Sequence, residues 1–146
     1  MASAVASVEP PAQVLVFSLA DEEYCVGVDW IDEIVKAEAV RPIPDTPRMV
    51  DGVMDRRGET TTIVDLTVPF GVTRSADEQQ VIVFETDNDR SVGWLVDYAD
   101  RVRDFENPDL ESVEDNRYIN GIVQANDKFI FWVDPTQVND QLASTG

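Results

Sequence analysis

The stretch Arg48–Leu66, RMVDGVMDRRGETTTIVDL, decides how the rest of the chain is read. An apolar strand pattern with Gly52 inside it runs to a turn at Arg56-Arg57-Gly58, and a second strand returns to Asp65. Tyr118–Pro135, YINGIVQANDKFIFWVDP, repeats the arrangement, with Gly121 and Asp134 as far apart as Gly52 and Asp65. Apolar residues stand at corresponding places and a turn lies between them. The chain therefore contains an internal repeat of two hairpins.

On the N-terminal side, Val14–Leu19 (VLVFSL) is rich in β-branched residues, Ala20–Glu23 is a polar turn, and Tyr24–Val28 returns, which predicts another hairpin. Asp29 occupies an N-cap position, and Trp30-Ile31-Asp32-Glu33-Ile34 spaces its apolar residues as one helical turn would. Val35–Ile43 is expected to be extended, because Pro42 and Pro44 exclude helix, and Pro47 suits the opening of a further turn. Thr67–Gln80, broken by Pro69, Gly71, Ser75 and Asp77-Glu78, reads as an irregular connector. The second half copies the order of the first: Val81–Glu85, a turn at Thr86–Arg90, then Ser91–Tyr98, with Val96-Asp97 the counterpart of Val28-Asp29. Asn107–Arg117 interrupts it with Pro108 and several carboxylates, and Pro135–Gly146 is expected to begin as a short helix and then fray.

Strands this short, punctuated so regularly by turns, fit small barrels or a sandwich better than a parallel α/β sheet. Two copies of one unit argue for two barrels side by side, and copies of about 60 residues are marginal alone, so a shared apolar seam is expected, with a groove along it. Residues 1–13 read as a flexible tail and 14–146 as one domain, with repeat halves at 14–70 and 80–135 and a C-terminal segment at 135–146.

Composition narrows the function. Asp and Glu total 29 against 11 Lys and Arg, a net charge of −18, and only Lys36 and Lys128 are lysines. Nucleic acid and anionic membrane are repelled by such a chain. The acidity fits either a binding face for a basic partner or adaptation to high salt; carboxylates scattered over every loop favour a halophile's protein. Histidine is absent, which removes His-based triads and the commonest metal ligand, and Cys25 has no partner for an intrachain disulfide. No metal or cofactor is expected. Asp87-Asn88-Asp89 resembles the start of a calcium loop, but Val92 and Tyr98 stand where the required Gly and Glu belong. Carboxylates for hydrolysis are numerous, yet none lies in an apolar run that would raise its pKa into a working range. Trp30, Trp94 and Trp132 read as packing residues, and Cys25 as a small buried apolar one. With no basic leader and no apolar run near the roughly 20 residues that span a bilayer, the expected location is cytoplasmic.

Taken in order, Leu15–Tyr24 (LVFSLADEEY), Ile31-Asp32-Glu33-Ile34, Thr46-Pro47, Gly52-Val53, Arg57-Gly58, Ile63–Leu66, Val92-Gly93, Val96-Asp97, Val102 and the Gly121–Asp134 hairpin resemble the CheW family of chemotaxis coupling proteins. The resemblance covers nearly the whole chain. It implies an all-β fold of two pseudo-repeated SH3-like five-stranded β-barrels packed on a shared apolar seam, with short helical turns. It implies a non-catalytic adaptor that bridges chemoreceptor tips to the regulatory domain of the histidine kinase CheA, with the receptor helix in the groove between barrels. Carried over residue by residue, the receptor-binding set is Val28, Ile31, Glu33, Gly52, Arg57 and Val102, and the kinase-binding set is Val40 and Ile43. The family's usual Asn-Leu-Arg-Gly tip is here Asp55-Arg56-Arg57-Gly58, followed by Glu59-Thr60-Thr61-Thr62 in place of an apolar strand ending in proline, and Lys36 stands where glycine is common.

Read on their own, these residues also have plainer roles: Arg57 an intrachain ion pair, Glu33 a solvated face, Gly52 and Gly121 bulges, Asp65 and Asp134 turn formers. The polar Glu59–Thr62 contrasts with Phe129-Ile130-Phe131-Trp132 in the second hairpin, expected to be buried, and this marks the first tip as a recognition surface. Two other functions stay open: a paralogue binding receptors or accessory proteins without the kinase, and a small acidic-site hydrolase.

Overall fold

A computed structural model describes residues 13–73, 79–84, 91–104, 109–111, 118–125 and 128–143. The expected N-terminal tail up to residue 12, the turn at 86–90 and the last three residues lie outside the described residues. Strands β1 (Gln13–Leu19) and β2 (Glu22–Gly27) form the first hairpin. Ala20 and Asp21 close it with φ of 54° and 66°, the doubly left-handed two-residue loop whose twist matches that of the strands. A 3-10 turn at Val28–Trp30 leads into β3 (Ile31–Lys36).

The helical turn expected over Asp29–Ile34 is not formed, since Ile31 and Ile34 are strand residues. A register shift between Ile31 and Glu33 adds one residue to β3, so that Ile31 lies opposite Phe84 and Ile34 opposite Ile82. The bulge thus gives a strand the three-residue apolar spacing of a helix. The extension expected over Val35–Ile43 also breaks, at Ala39 with φ 50°. Beyond it Arg41 pairs with Val53 in β4 (Val50–Arg56) through two backbone bonds of 2.8 Å.

Next come β5 (Glu59–Asp65) and α1 (Thr67–Phe70), a single turn inside the segment expected to be irregular. Then follow β6 (Gln80–Phe84), β7 (Ser91–Val96) and β8 (Tyr98–Asp104). The interruption expected at 107–117 contains a three-residue strand, β9 (Asp109–Glu111). The second repeat hairpin is β10 (Ile119–Ala125) with β11 (Lys128–Val133), and α2 (Pro135–Ala143) starts at the expected proline.

Two sheets result, sheet A in the order β8-β1-β2-β11-β10-β9 and sheet B in the order β3-β6-β7-β5-β4. These are the expected pair of SH3-like units on a shared seam, with two differences from five-stranded barrels: sheet A has a sixth strand, and among the described residues neither sheet closes on itself through a full strand pairing. Each sheet draws strands from both sequence halves. The register makes them copies nonetheless. Val14-Leu15-Val16-Phe17 face Gly27, Val26, Cys25 and Tyr24, as Val81-Ile82-Val83-Phe84 face Leu95, Trp94, Gly93 and Val92. β11 runs parallel to β2 as β5 runs parallel to β7. Both repeat hairpins shift register at their glycine, Gly52 or Gly121. Each then ends on a turn-forming aspartate. Asp65 Oδ1 accepts from Thr67 N at 3.0 Å and Thr67 Oγ1 at 2.5 Å, and Asp134 Oδ1 from Thr136 N at 3.0 Å and Thr136 Oγ1 at 2.6 Å.

Strand alternation sorts the apolar residues into three clusters. Leu15, Phe17, Tyr24, Val26, Val64, Ile82, Phe84 and Trp94 fill the seam between sheets, which is the shared apolar interface the repeat predicted. Val14, Val16, Cys25, Val123, Ile130 and Trp132 pack within sheet A, and Met54, Ile63, Val81, Val83 and Leu95 within sheet B. Helix α2 completes the seam: Val138 is fully buried there, and Asn139 Oδ1 accepts from Trp94 Nε1 at 2.9 Å. Each such large buried side chain stabilises by about 1.5–3 kcal/mol.

Candidate functional site

The β4–β5 turn is a two-residue loop, with Arg57 at φ 57° and Gly58 at φ 81°. Glycine takes this conformation freely, whereas in a side-chain-bearing residue such as Arg57 it costs about 1–2 kcal/mol. Arg57 therefore is not at the tip for the sake of the turn. Its side chain is 79% exposed and touches Glu33 Oε1 at 3.5 Å. Arg56 behaves oppositely. Its side chain is 11% exposed, and its terminal nitrogens lie 2.5 Å from Glu33 Oε2, 3.3 Å from Asp32, and 3.5 Å from both Glu59 and Ser91 Oγ. Arg56 Nε is buried without an acceptor, so those two nitrogens carry the whole attachment.

This cluster sits where sheet B fails to close. β3 and β4 are its two edges, and Arg56 on β4 reaches Asp32 and Glu33 on β3. The Arg41–Val53 bridge ties the other flank of β4 to the chain that leaves β3. Beneath the ion pairs, Thr61, at 0% exposure, shares a 2.9 Å hydroxyl bond with Ser91. Glu33 is thus an ion-pair residue rather than a merely solvated one. Three carboxylates converge here, but on a guanidinium that occupies the space between them.

The apolar members of the expected receptor set lie along the seam. Val28, in the 3-10 turn, and Ile31, at the start of β3, are half-buried against the central cluster. Val102 on β8 is 54% exposed and lies opposite Leu15, so it shares Leu15's seam-facing side. Ile34, 40% exposed opposite Ile82, is its counterpart on β3. The strand edges β3 and β8 thereby present Ile31, Ile34 and Val102 beside one apolar floor. Ile34 was not anticipated from the sequence, because its spacing from Ile31 reads as helix until the bulge is known.

Gly52 has a structural duty of its own. A Cβ there would come within 2.0 Å of the Arg41 carbonyl oxygen and 3.0 Å of Pro42 Cα, at φ +155°. It stands against the segment that carries the expected kinase residues: Val40, half-buried against the sheet B cluster, and Ile43, 37% exposed. The structure brings Glu33 and Arg57 together, packs Ile31 against the seam cluster, and places Val102 opposite Leu15 of the same cluster. Gly52, carried into the expected receptor set, lies against Arg41 and Pro42, the residues between Val40 and Ile43 in the chain.

Cys25 is buried, and burial pushes its thiol up to about 12, with the Arg103 charge pulling the other way. Among the described residues no group of three or more His, Cys, Asp or Glu is arranged to hold a metal ion, and no helix is long and apolar enough to cross a membrane.

Comparison with known proteins agrees with this architecture. The family model described as CheW-like domain matches residues 13–142. The chemotaxis protein CheW of Thermotoga maritima is 26% identical over 134 residues, covering 89% of each chain. That of Bacillus subtilis is 24% identical over 147 residues, covering 95% of this chain and 94% of its own. The crystal structure of the scaffolding protein TtCheW from Thermoanaerobacter tengcongensis superposes with a TM-score of 0.76 at 26% identity, covering 88% of this chain and 87% of that one.

Proposed function

The chain belongs to the CheW-like domain family, and from that premise we propose that it is a chemotaxis adaptor coupling chemoreceptors to the histidine kinase CheA in the cytoplasm. It acts by assembly and not by catalysis. A receptor helix lies along the seam on Val28, Ile31, Ile34 and Val102, while Glu33 and Arg57 engage its polar flank. The kinase regulatory domain meets a separate face at Val40 and Ile43, whose position Gly52 sets through the close approach of β4 to Arg41. One observation carries the reading of the tip: an exposed arginine at a position where the turn requires a left-handed conformation that a side-chain-bearing residue disfavours. A net charge of −18 over the whole chain supports a salt-rich cell as its setting.

The test is separate binding, in molar salt, to a soluble chemoreceptor tip and to the kinase regulatory domain. Both should bind, and Arg57→Asp should lose the receptor while keeping the kinase. Receptor binding without kinase binding would replace this reading with that of a paralogue outside the kinase complex. Loss of both would remove the adaptor reading. The hydrolase reading has little support, since the convergent carboxylates Asp32, Glu33 and Glu59 are engaged by Arg56.

A further inference from the structure

Two adjacent arginines face one glutamate at the open end of sheet B. Alternation along β4 separates them: Arg56 follows Met54 on the side that lines the cluster within the sheet, and Arg57 lies past the strand end. Glu33 presents one oxygen to each. The contact with Arg56 is a charge-assisted hydrogen bond, and the contact with Arg57, at 3.5 Å, is at the outer limit of hydrogen bonding. Arg56 is also the point where Asp32 and Glu59 meet.

We propose that Arg56 is a positioning residue: by satisfying Glu33 from inside the sheet, it leaves Arg57 outward and held to Glu33 only by the 3.5 Å contact, available to an acidic group of the partner. The identity of that partner rests on the adaptor reading above; the division of labour between the two arginines does not. An exposed pair such as Arg57–Glu33 contributes little, whereas a largely buried charge that loses its partner is strongly destabilising. Removing Arg56 leaves Asp32, Glu33 and Glu59 without their shared cation. Among the described residues, Arg57 is the other arginine in contact with that group. It is then drawn inward, and binding falls through a residue that has not been changed.

A double-mutant cycle on the full chain reads this directly. The parent, Arg56→Gln, Arg57→Gln and the double variant are compared in one molar-salt buffer, by thermal midpoint and by affinity for a soluble receptor-tip fragment. Arg57→Gln in the parent should shift the midpoint by no more than about 2 °C and weaken binding about tenfold, as expected for an exposed residue at a contact. Arg56→Gln should lower the midpoint by about 5 °C and weaken binding about as much. Adding Arg57→Gln to Arg56→Gln should lower the midpoint further by about 3 °C while costing little more binding. Should Arg56→Gln not fold, Arg56→Lys keeps the charge without the fork and takes its place in the cycle. Midpoint effects that simply add, or an Arg56 variant that binds like the parent, would overturn the proposal. A parent that does not bind the tip would remove the receptor reading, and the midpoints would still decide the role of Arg56.

Discussion

The two repeat hairpins, β4–β5 and β10–β11, share a glycine register shift, a terminal aspartate and a strand register, yet they are filled differently. Thr61 opposite Met54 and Ile130 opposite Val123 hold equivalent places, and both have 0% exposure. Ile130 sits among Val16, Cys25 and Trp132, whereas Thr61 bonds to Ser91 beneath the Arg56 ion pairs. The next pair corrects an expectation. Phe129 was expected to be buried and is 58% exposed, like its exposed counterpart Thr60. What distinguishes the first hairpin is therefore a polar plug with two arginines and not a uniformly polar surface. Features common to both copies are those the fold requires; the plug and tip are free to serve recognition.

The largest effect should come from Gly52→Ala, because the first hairpin's glycine lies against the chain that leaves β3. Its Cβ overlaps the Arg41 carbonyl at 2.0 Å, and the loss expected in chemical denaturation is about 3 kcal/mol or more. Converting the apolar plug to the polar one with Ile130→Thr should cost about 2–3 kcal/mol, since sheet A offers its hydroxyl an apolar cluster. Breaking the polar plug with Ser91→Ala should cost about 1–2 kcal/mol, because Thr61 Oγ1 loses its 2.9 Å partner. If Ile130→Thr were neutral, the contrast between the plugs would have no energetic content.

The smallest effect is a pH dependence lodged in the apolar plug. Burial pushes the Cys25 thiol up from its ordinary 9.0 to about 12, so above 9.0 the unfolded chain releases a proton that the folded chain retains. This component of stability is intact below 9.0 and is lost as pH rises toward about 12. Cys25→Ala should remove it from a pH series of denaturation midpoints, and a thiol reagent at pH 8 should react with the parent only as fast as the sheet opens.

Local chemistry made the hairpins legible in the sequence. Turn residues at Ala20–Glu23 and Arg56–Gly58, and the matching Gly-to-Asp spacings, give strand, turn and repeat without any tertiary knowledge. Tertiary facts were not so accessible. The exchange of strands between halves depends on parallel pairings, Phe131 with Tyr24 and Thr62 with Val92, that no local pattern announces. Ile31 and Ile34 read as helix because a bulge supplied the spacing. Of the candidate site, Ile31 and Val102 came only from the family resemblance and Arg57 also from its place at the tip, while Arg56 was overshadowed by its neighbour. The one available signal was its two-residue distance from buried Met54, which puts it on the inner face.

Whether one chain joins two partners through different faces is read out by co-sedimentation of the kinase with receptor-containing membranes, in molar salt, with and without the chain. The kinase should sediment with the membranes only when the chain is present, and Arg57→Asp should abolish this while leaving the chain's own binding to the kinase intact. Kinase that sediments equally in the chain's absence, or remains in solution in its presence, would rule out the bridging role.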